Sequence, residues 1–162
     1  MEELIIIVII LVLVFGLGTI QLLPEREILP EEEIAVGNIG GNENFDFAEK
    51  GDINLDFRGH ISGNATVNIE SERGNIYLRF REHITGNPDL NIKASQGHIF
   101  IGFESLVEGN PSISIESHGD IIFANDRSTI EEYREKNLLQ VKAGGRIYYG
   151  DDSFFRRFRS DF

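Results

Sequence analysis

Short runs of alternating apolar and polar residues recur along most of this chain. One run reads Gly51-Asp-Ile-Asn-Leu-Asp-Phe57, and its counterparts are Gly74-Asn-Ile-Tyr-Leu-Arg-Phe80 and Gly97-His-Ile-Phe-Ile-Gly-Phe103. Shorter versions follow at Gly119-Asp-Ile-Ile-Phe123 and Gly145-Arg-Ile-Tyr-Tyr149, so the glycines stand 23, 23, 22 and 26 residues apart. A fixed period of this length signals stacked repeats, each burying an apolar face against the next. Twelve residues after the first three glycines come Gly63-Asn64, Gly86-Asn87 and Gly109-Asn110. An apolar-x-apolar triplet follows each: Val67 to Ile69, Leu90 to Ile92 and Ile113 to Ile115. Gly41-Asn42 with Phe45 and Phe47, and Leu139 with Val141, are further half-repeats. Each unit is therefore expected to carry two short strands, because period-two alternation sends one face inward. Gly-Asn, tolerant of positive φ, makes the turn between them.

An antiparallel meander and a parallel β-solenoid both supply two strands per unit. The outward column Glu70, Lys93, Glu116, Lys142 separates them. Its sign alternates from unit to unit, which is favourable only if equivalent residues are neighbours about 4.8 Å apart. The expected fold is thus all-β, a parallel β-solenoid (β-helix) of about five coils over residues 34–150. Ile53, Ile76, Ile99, Ile121 and Ile147 point inward, beside Phe57, Phe80 and Phe103. Gly37-Asn-Ile39 reads as an incomplete first coil start. The asparagines after the turn glycines are expected to form an amide ladder. Asn64-Ala65-Thr66 is also the sole glycosylation sequon, a use that competes with the ladder.

The solenoid is flanked. Leu4 to Leu23 is an uncharged apolar run of twenty residues closed by Pro24, the length of a membrane-spanning helix. The preceding Met1-Glu2-Glu3 lacks the Lys or Arg of a signal peptide, and no Ala-x-Ala site follows. Residues 1–23 are thus read as a single-pass transmembrane anchor, and the Pro- and Glu-rich residues 24–33 as a stalk. In the fourth coil Ser128 and Glu131 form a capping-box pattern, with Ile130, Tyr133 and Leu138 on one side, so a helix over 128–138 is expected to replace the Gly-Asn turn. One outward column, Asn54, Tyr77, Phe100, Ile122, Tyr148, turns apolar from the second coil onward. Tyr77, Phe100, Ile122 and Tyr148 are expected either to receive the inserted helix or to form a partner-binding stripe. In the tail 151–162, Phe154, Phe155, Phe158 and Phe162 fall at helical spacing, with Arg156, Arg157 and Arg159 largely opposite. This is read first as a cap over the last coil, with lipid or assembly contact as alternatives.

Composition narrows the chemistry. A net charge of −12 opposes nucleic-acid binding through phosphates, and the absence of cysteine removes disulfide, thiolate and thiol-nucleophile chemistry. His60 and His83 occupy equivalent positions, but two imidazoles make a poor metal site. Asp52, Asn75, His98, Asp120 and Arg146 share a column and are read as solvated turn positions. No outward acidic column resembles a glycosidase carboxylate pair, so a carbohydrate-active β-helix is the weakest alternative. No nucleotide-binding or hydrolase motif is present. The expectation is a non-enzymatic protein with no cofactor.

The Gly-(Asp/Asn)-Ile steps at Gly51, Gly74 and Gly119 resemble those of the adhesin-type solenoid domains of prokaryotic envelope proteins, including the "head GIN" type. That resemblance spans residues 37–149 and implies a cell-surface solenoid with no catalytic residues to carry over. Bactofilins, which polymerise end to end on the cytoplasmic face of membranes, are also similar. The 23-residue coil, the inserted helix and the full-length anchor depart from that family. The implied function is a membrane-anchored adhesion or structural module, its domain extracytoplasmic, with a protein or surface glycan as partner. The alternative is a cytoplasmic-face scaffold.

Overall fold

The computed structural model describes residues 33–151. The expected span 1–23, the stalk up to residue 32 and the tail from residue 152 lie outside the described residues. Among the described residues no helix is long and apolar enough to cross a membrane.

The strands follow in chain order: β1 (Ile34–Val36), β2 (Asn44–Glu49), β3 (Ile53–Phe57), β4 (Thr66–Ser71), β5 (Ile76–Phe80), β6 (Asp89–Ala94), β7 (Ile99–Phe103), β8 (Ser112–Ser117), β9 (Ile121–Phe123), β10 (Leu139–Ala143) and β11 (Ile147–Tyr149). The odd strands form one sheet in the order β1-β3-β5-β7-β9-β11, and the even strands form the other, β10-β8-β6-β4-β2. Each even strand pairs with the next even strand in parallel, and each odd strand with the next odd strand. This is the expected parallel β-solenoid of about five coils. Its register is the sequence repeat itself: Ile53 faces Ile76, Ile76 faces Ile99, and Ile99 faces Ile121. The charge column also aligns as expected, Glu70 with Lys93, Lys93 with Glu116, and Lys142 with Glu116.

The coils up to Val107 have a third side that alternation alone did not reveal. Single parallel bridges join Ile39 to Ile61, Ile61 to Ile84 and Ile84 to Val107. All four side chains are buried in the same core as the strand residues. This corrects the reading of Gly37-Asn-Ile39 as a coil start. Ile39 belongs to the third side, and the first coil begins at β1, where Ile34 faces Leu55.

Inside the coils, like stacks on like. The rings of Phe57 and Phe80 lie 4.6 Å apart and those of Phe80 and Phe103 5.4 Å apart, both nearly parallel. Such offset pairs add roughly 0.5–1.5 kcal/mol each beyond burial. The turn glycines Gly63, Gly86 and Gly109 have φ of +74°, +87° and +88°. They also leave no room: a Cβ on Gly86 would sit 2.8 Å from the Gly63 carbonyl oxygen one coil away. Conformation and packing thus both require glycine there.

The inserted helix α1 spans Arg127–Glu135, earlier than expected, and its N-cap is Asp126, not Ser128. The Asp126 carboxylate accepts hydrogen bonds from the Thr129 amide (3.0 Å) and hydroxyl (2.8 Å), and from the Ser128 hydroxyl. These bonds bring its pKa down to about 2. Glu131 instead pairs with Arg134 at 3.2 Å. Asn137, with φ of 57°, ends the helix in the left-handed conformation. Ile130 and Tyr133 of α1 enter the main core, where Tyr133 meets the edge of Phe103 at 6.2 Å. Burial raises the Tyr133 hydroxyl's pKa, and its hydrogen bond with the Val107 backbone works the other way. The helix therefore closes the Phe57-Phe80-Phe103 stack and the third side after Val107. This corrects the expectation that it docks on Phe100, Ile122 and Tyr148, which form a cluster apart from it. In the strand position beyond β9, the Asn125 amide replaces a backbone rung. Its Oδ1 accepts from the Phe103 N–H at 2.9 Å, and its Nδ2 donates to the Phe103 carbonyl at 2.7 Å.

Candidate binding surfaces

Parallel stacking places every outward residue next to its counterpart one coil away, so the surfaces are built as columns. On the even-strand sheet, Asn68 donates to Asp46 at 2.7 Å and Asn91 donates to Asn68 at 3.0 Å. Beside them Lys93 reaches Glu70 at 3.0 Å and Lys142 reaches Glu116 at 2.6 Å. The Lys142 contact lowers the pKa of Glu116. At the turn, Asn64 donates to Asn42 at 3.3 Å and Asn87 to Asn64 at 3.5 Å, so the expected amide ladder forms. Asn64, the sequon residue, both donates and accepts within it.

The column Asp52, Asn75, His98, Asp120, Arg146 is more than a solvated edge. The Asn75 amide donates to Asp52 (2.6 Å), the His98 amide to Asn75 Oδ1 (2.9 Å), the Asp120 amide to His98 Nδ1 (2.9 Å) and the Arg146 amide to Asp120 (2.6 Å). The first four of these side chains each cap the main-chain N–H of the next coil at a corner where no strand rung exists. After Gly51, Gly74, Gly97 and Gly119 the residue must therefore offer a side-chain acceptor, whereas Arg146, in the last of these coils, takes part only through its backbone N–H. His98 accepts through Nδ1, which fixes its proton on Nε2.

At the early end of the odd-strand sheet, Asp56 is 1 % exposed although it points outward. Arg81 and Arg58 clamp its carboxylate, Arg81 at 2.6 Å. Burial raises the Asp56 pKa, but the hydrogen bonds from Arg81 and Arg58 outweigh it and leave the carboxyl below its usual value. His60 and His83 stack on adjacent coils with ring centroids 5.8 Å apart, and Glu82 lies 4.0 Å from His60. Among the described residues no group of three or more His, Asp or Glu side chains converges as a metal site.

The apolar stripe assembles as a second cluster, distinct from the core. Tyr77, Phe100 and Ile122 are buried together, with Tyr148 and Ala124 packed against them. The Tyr77 and Phe100 rings stack at 4.7 Å. The tail residues Phe154, Phe155, Arg156, Arg157, Phe158 and Arg159 lie outside the described residues. Sequence reasoning missed the third side and the corner acceptors. Both had a signal: Ile61, Ile84 and Val107 each stand ten residues after a repeat glycine, and the residue after that glycine is polar in every coil.

Comparison with protein-family models, with curated proteins and with solved structures gives no match.

Proposed function

We propose that this protein is a non-catalytic, membrane-tethered β-solenoid that acts as an adhesion or structural binding module on the outer side of a cell envelope. One observation carries the non-catalytic part. The outward carboxylates, amides and lysines of the even-strand sheet bond to their counterparts one coil away, as in Asp46-Asn68-Asn91 and Glu70-Lys93. Such groups form a regular polar surface instead of converging on a reacting atom. A flat array of repeating donors and acceptors suits a protein surface or a glycan, which it contacts at many weak points. The uncharged run Leu4 to Leu23 supports the tether.

The second reading, a self-assembling scaffold on the cytoplasmic face, draws on the strand edges. β2 and β10 are the outer strands of their sheet, with Phe45, Phe47 and Val141 only partly buried. Open edges of this kind can pair with another copy. Protease treatment of intact cells separates the two. Loss of the domain from outside supports the surface module. Full protection, with filaments formed by the purified protein, overturns it in favour of the scaffold.

A further inference from the structure

We propose that His60 and His83, held one coil apart on the third side of the solenoid, chelate a borderline transition-metal ion such as Zn²⁺ or Cu²⁺, with Glu82 supplying negative charge beside it. The main chain under the pair is fixed. Ile61 and Ile84, which follow the two histidines, form one of the parallel bridges of the third side and are each 1 % exposed. The Ile61 N–H donates to the His83 carbonyl at 3.1 Å, and the His60 N–H donates to Asn38 Oδ1 at 2.8 Å. Above this frame the side chains of His60, Glu82 and His83 are all exposed.

Their spacing suits one shared ion. Two imidazoles on one tetrahedral ion, at about 2.0–2.1 Å per nitrogen, bring their ring centroids to roughly 5 Å. The centroids of His60 and His83 stand 5.8 Å apart, with the rings tilted by 59°. Rotation about the exposed side-chain bonds closes that difference with no shift of the backbone. The Glu82 carboxylate lies 4.0 Å from His60 Nε2, where it offsets part of the ion's charge and accepts hydrogen bonds from bound water. Imidazole suits Zn²⁺, Cu²⁺ and Ni²⁺, whereas Mg²⁺ and Ca²⁺ take oxygen ligands. The protein gives two nitrogens and water fills the other positions, so binding is weaker than at a three- or four-ligand centre. The other histidines lack this arrangement. His98 Nδ1 is already engaged by the Asp120 amide, and the residue one repeat before His118 is Ser95. His60 and His83 are 23 residues apart in sequence, so only the folded chain brings them together. The ion is thus a clip between two coils and stabilises the fold by linkage.

The test uses the full chain in detergent, freed of metal with a chelator and then titrated with Zn²⁺ while thermal unfolding is followed by circular dichroism. A saturable rise in Tm is expected with Zn²⁺ and a larger one with Cu²⁺, following their order of affinity. Mg²⁺ should give none, which separates chelation from the general attraction of cations to a chain of net charge −12. His60→Ala or His83→Ala should each weaken binding by at least about tenfold, since the second imidazole then no longer binds intramolecularly. His118→Ala should bind like the parent. Electron paramagnetic resonance of bound Cu²⁺ should show coupling to two nitrogens in the parent and the loss of one in each single variant. No Tm rise at millimolar Zn²⁺ or Cu²⁺, or binding and nitrogen coupling that survive His83→Ala unchanged, would overturn the proposal.

Discussion

Replacing Asn75 separates a corner acceptor from an ordinary polar turn residue. In the fold, Asn75 Oδ1 accepts the His98 amide proton at 2.9 Å in a part-buried corner. Asn75→Ala removes that acceptor and leaves the His98 N–H without it. The net loss of one hydrogen bond is about 0.5–1.5 kcal/mol, and a poorly solvated orphan raises it toward 1–3. Because the corner is only part-buried, water recovers some of the bond, and about 1–2 kcal/mol is expected. Asn75→Asp keeps the acceptor in place, as Asp52 and Asp120 do in the same column. Its carboxylate stands one coil from that of Asp52, so in about 0.5 M salt, where repulsion between exposed groups is screened, it should fall within about 0.5 kcal/mol of the parent. Urea unfolding followed by circular dichroism measures both, with the slope of the transition checked for constancy. If Asn75→Ala and Asn75→Asp are equally stable, or equally unstable, the capping role is wrong and the column is only solvated polar surface.

Other outcomes follow from the same geometry. Phe80→Ala opens the middle of the Phe57-Phe80-Phe103 stack and should cost about 3–5 kcal/mol in an unfolding titration. Gly86→Ala puts a side chain at φ +87° and against the Gly63 carbonyl, so it should destabilise by at least about 1–2 kcal/mol, whereas Gly51, with open space around it, should accept Ala with little change. Asp56 and Asp126 are both held below the usual carboxyl pKa of 3.8, so folding favours their ionised forms. Their contribution is complete above 3.8 and is lost as pH falls through the lowered values, about 2 for Asp126. A thermal-melt series in acid should therefore be flatter for Asp126→Asn than for the parent.

The solenoid was legible because its signals are periodic. The isoleucine column and the alternating Glu70-Lys93-Glu116-Lys142 column repeat at one spacing, and both registers appear in the fold. The third side was less visible because it contributes one apolar residue per coil, which no alternation marks. The helix start shifted because Asp126 precedes Ser128 as a competing cap, and a carboxylate that gathers three donors wins over a single hydroxyl. The helix's docking place was misjudged for a related reason. Asn125 ends the inward phenylalanine column at Phe103, and the vacancy this leaves is filled by Tyr133. From sequence alone the apolar outward row was the more obvious place for the helix. That row instead forms a buried cluster of its own, Tyr77, Phe100 and Ile122 with Tyr148 and Ala124 packed against them.

The ladders, the polar face and the stripe all derive from residues one coil apart being neighbours. Glu70 faces Lys93 in adjacent parallel strands, and the chain contains no cysteine. Strand spacing of about 4.8 Å lies within the Cα separation a disulfide spans. The double variant Glu70→Cys/Lys93→Cys should therefore oxidise to an intramolecular disulfide in the folded monomer. Failure to form it, with the dichroism of the fold intact, would contradict the parallel register and everything built on it.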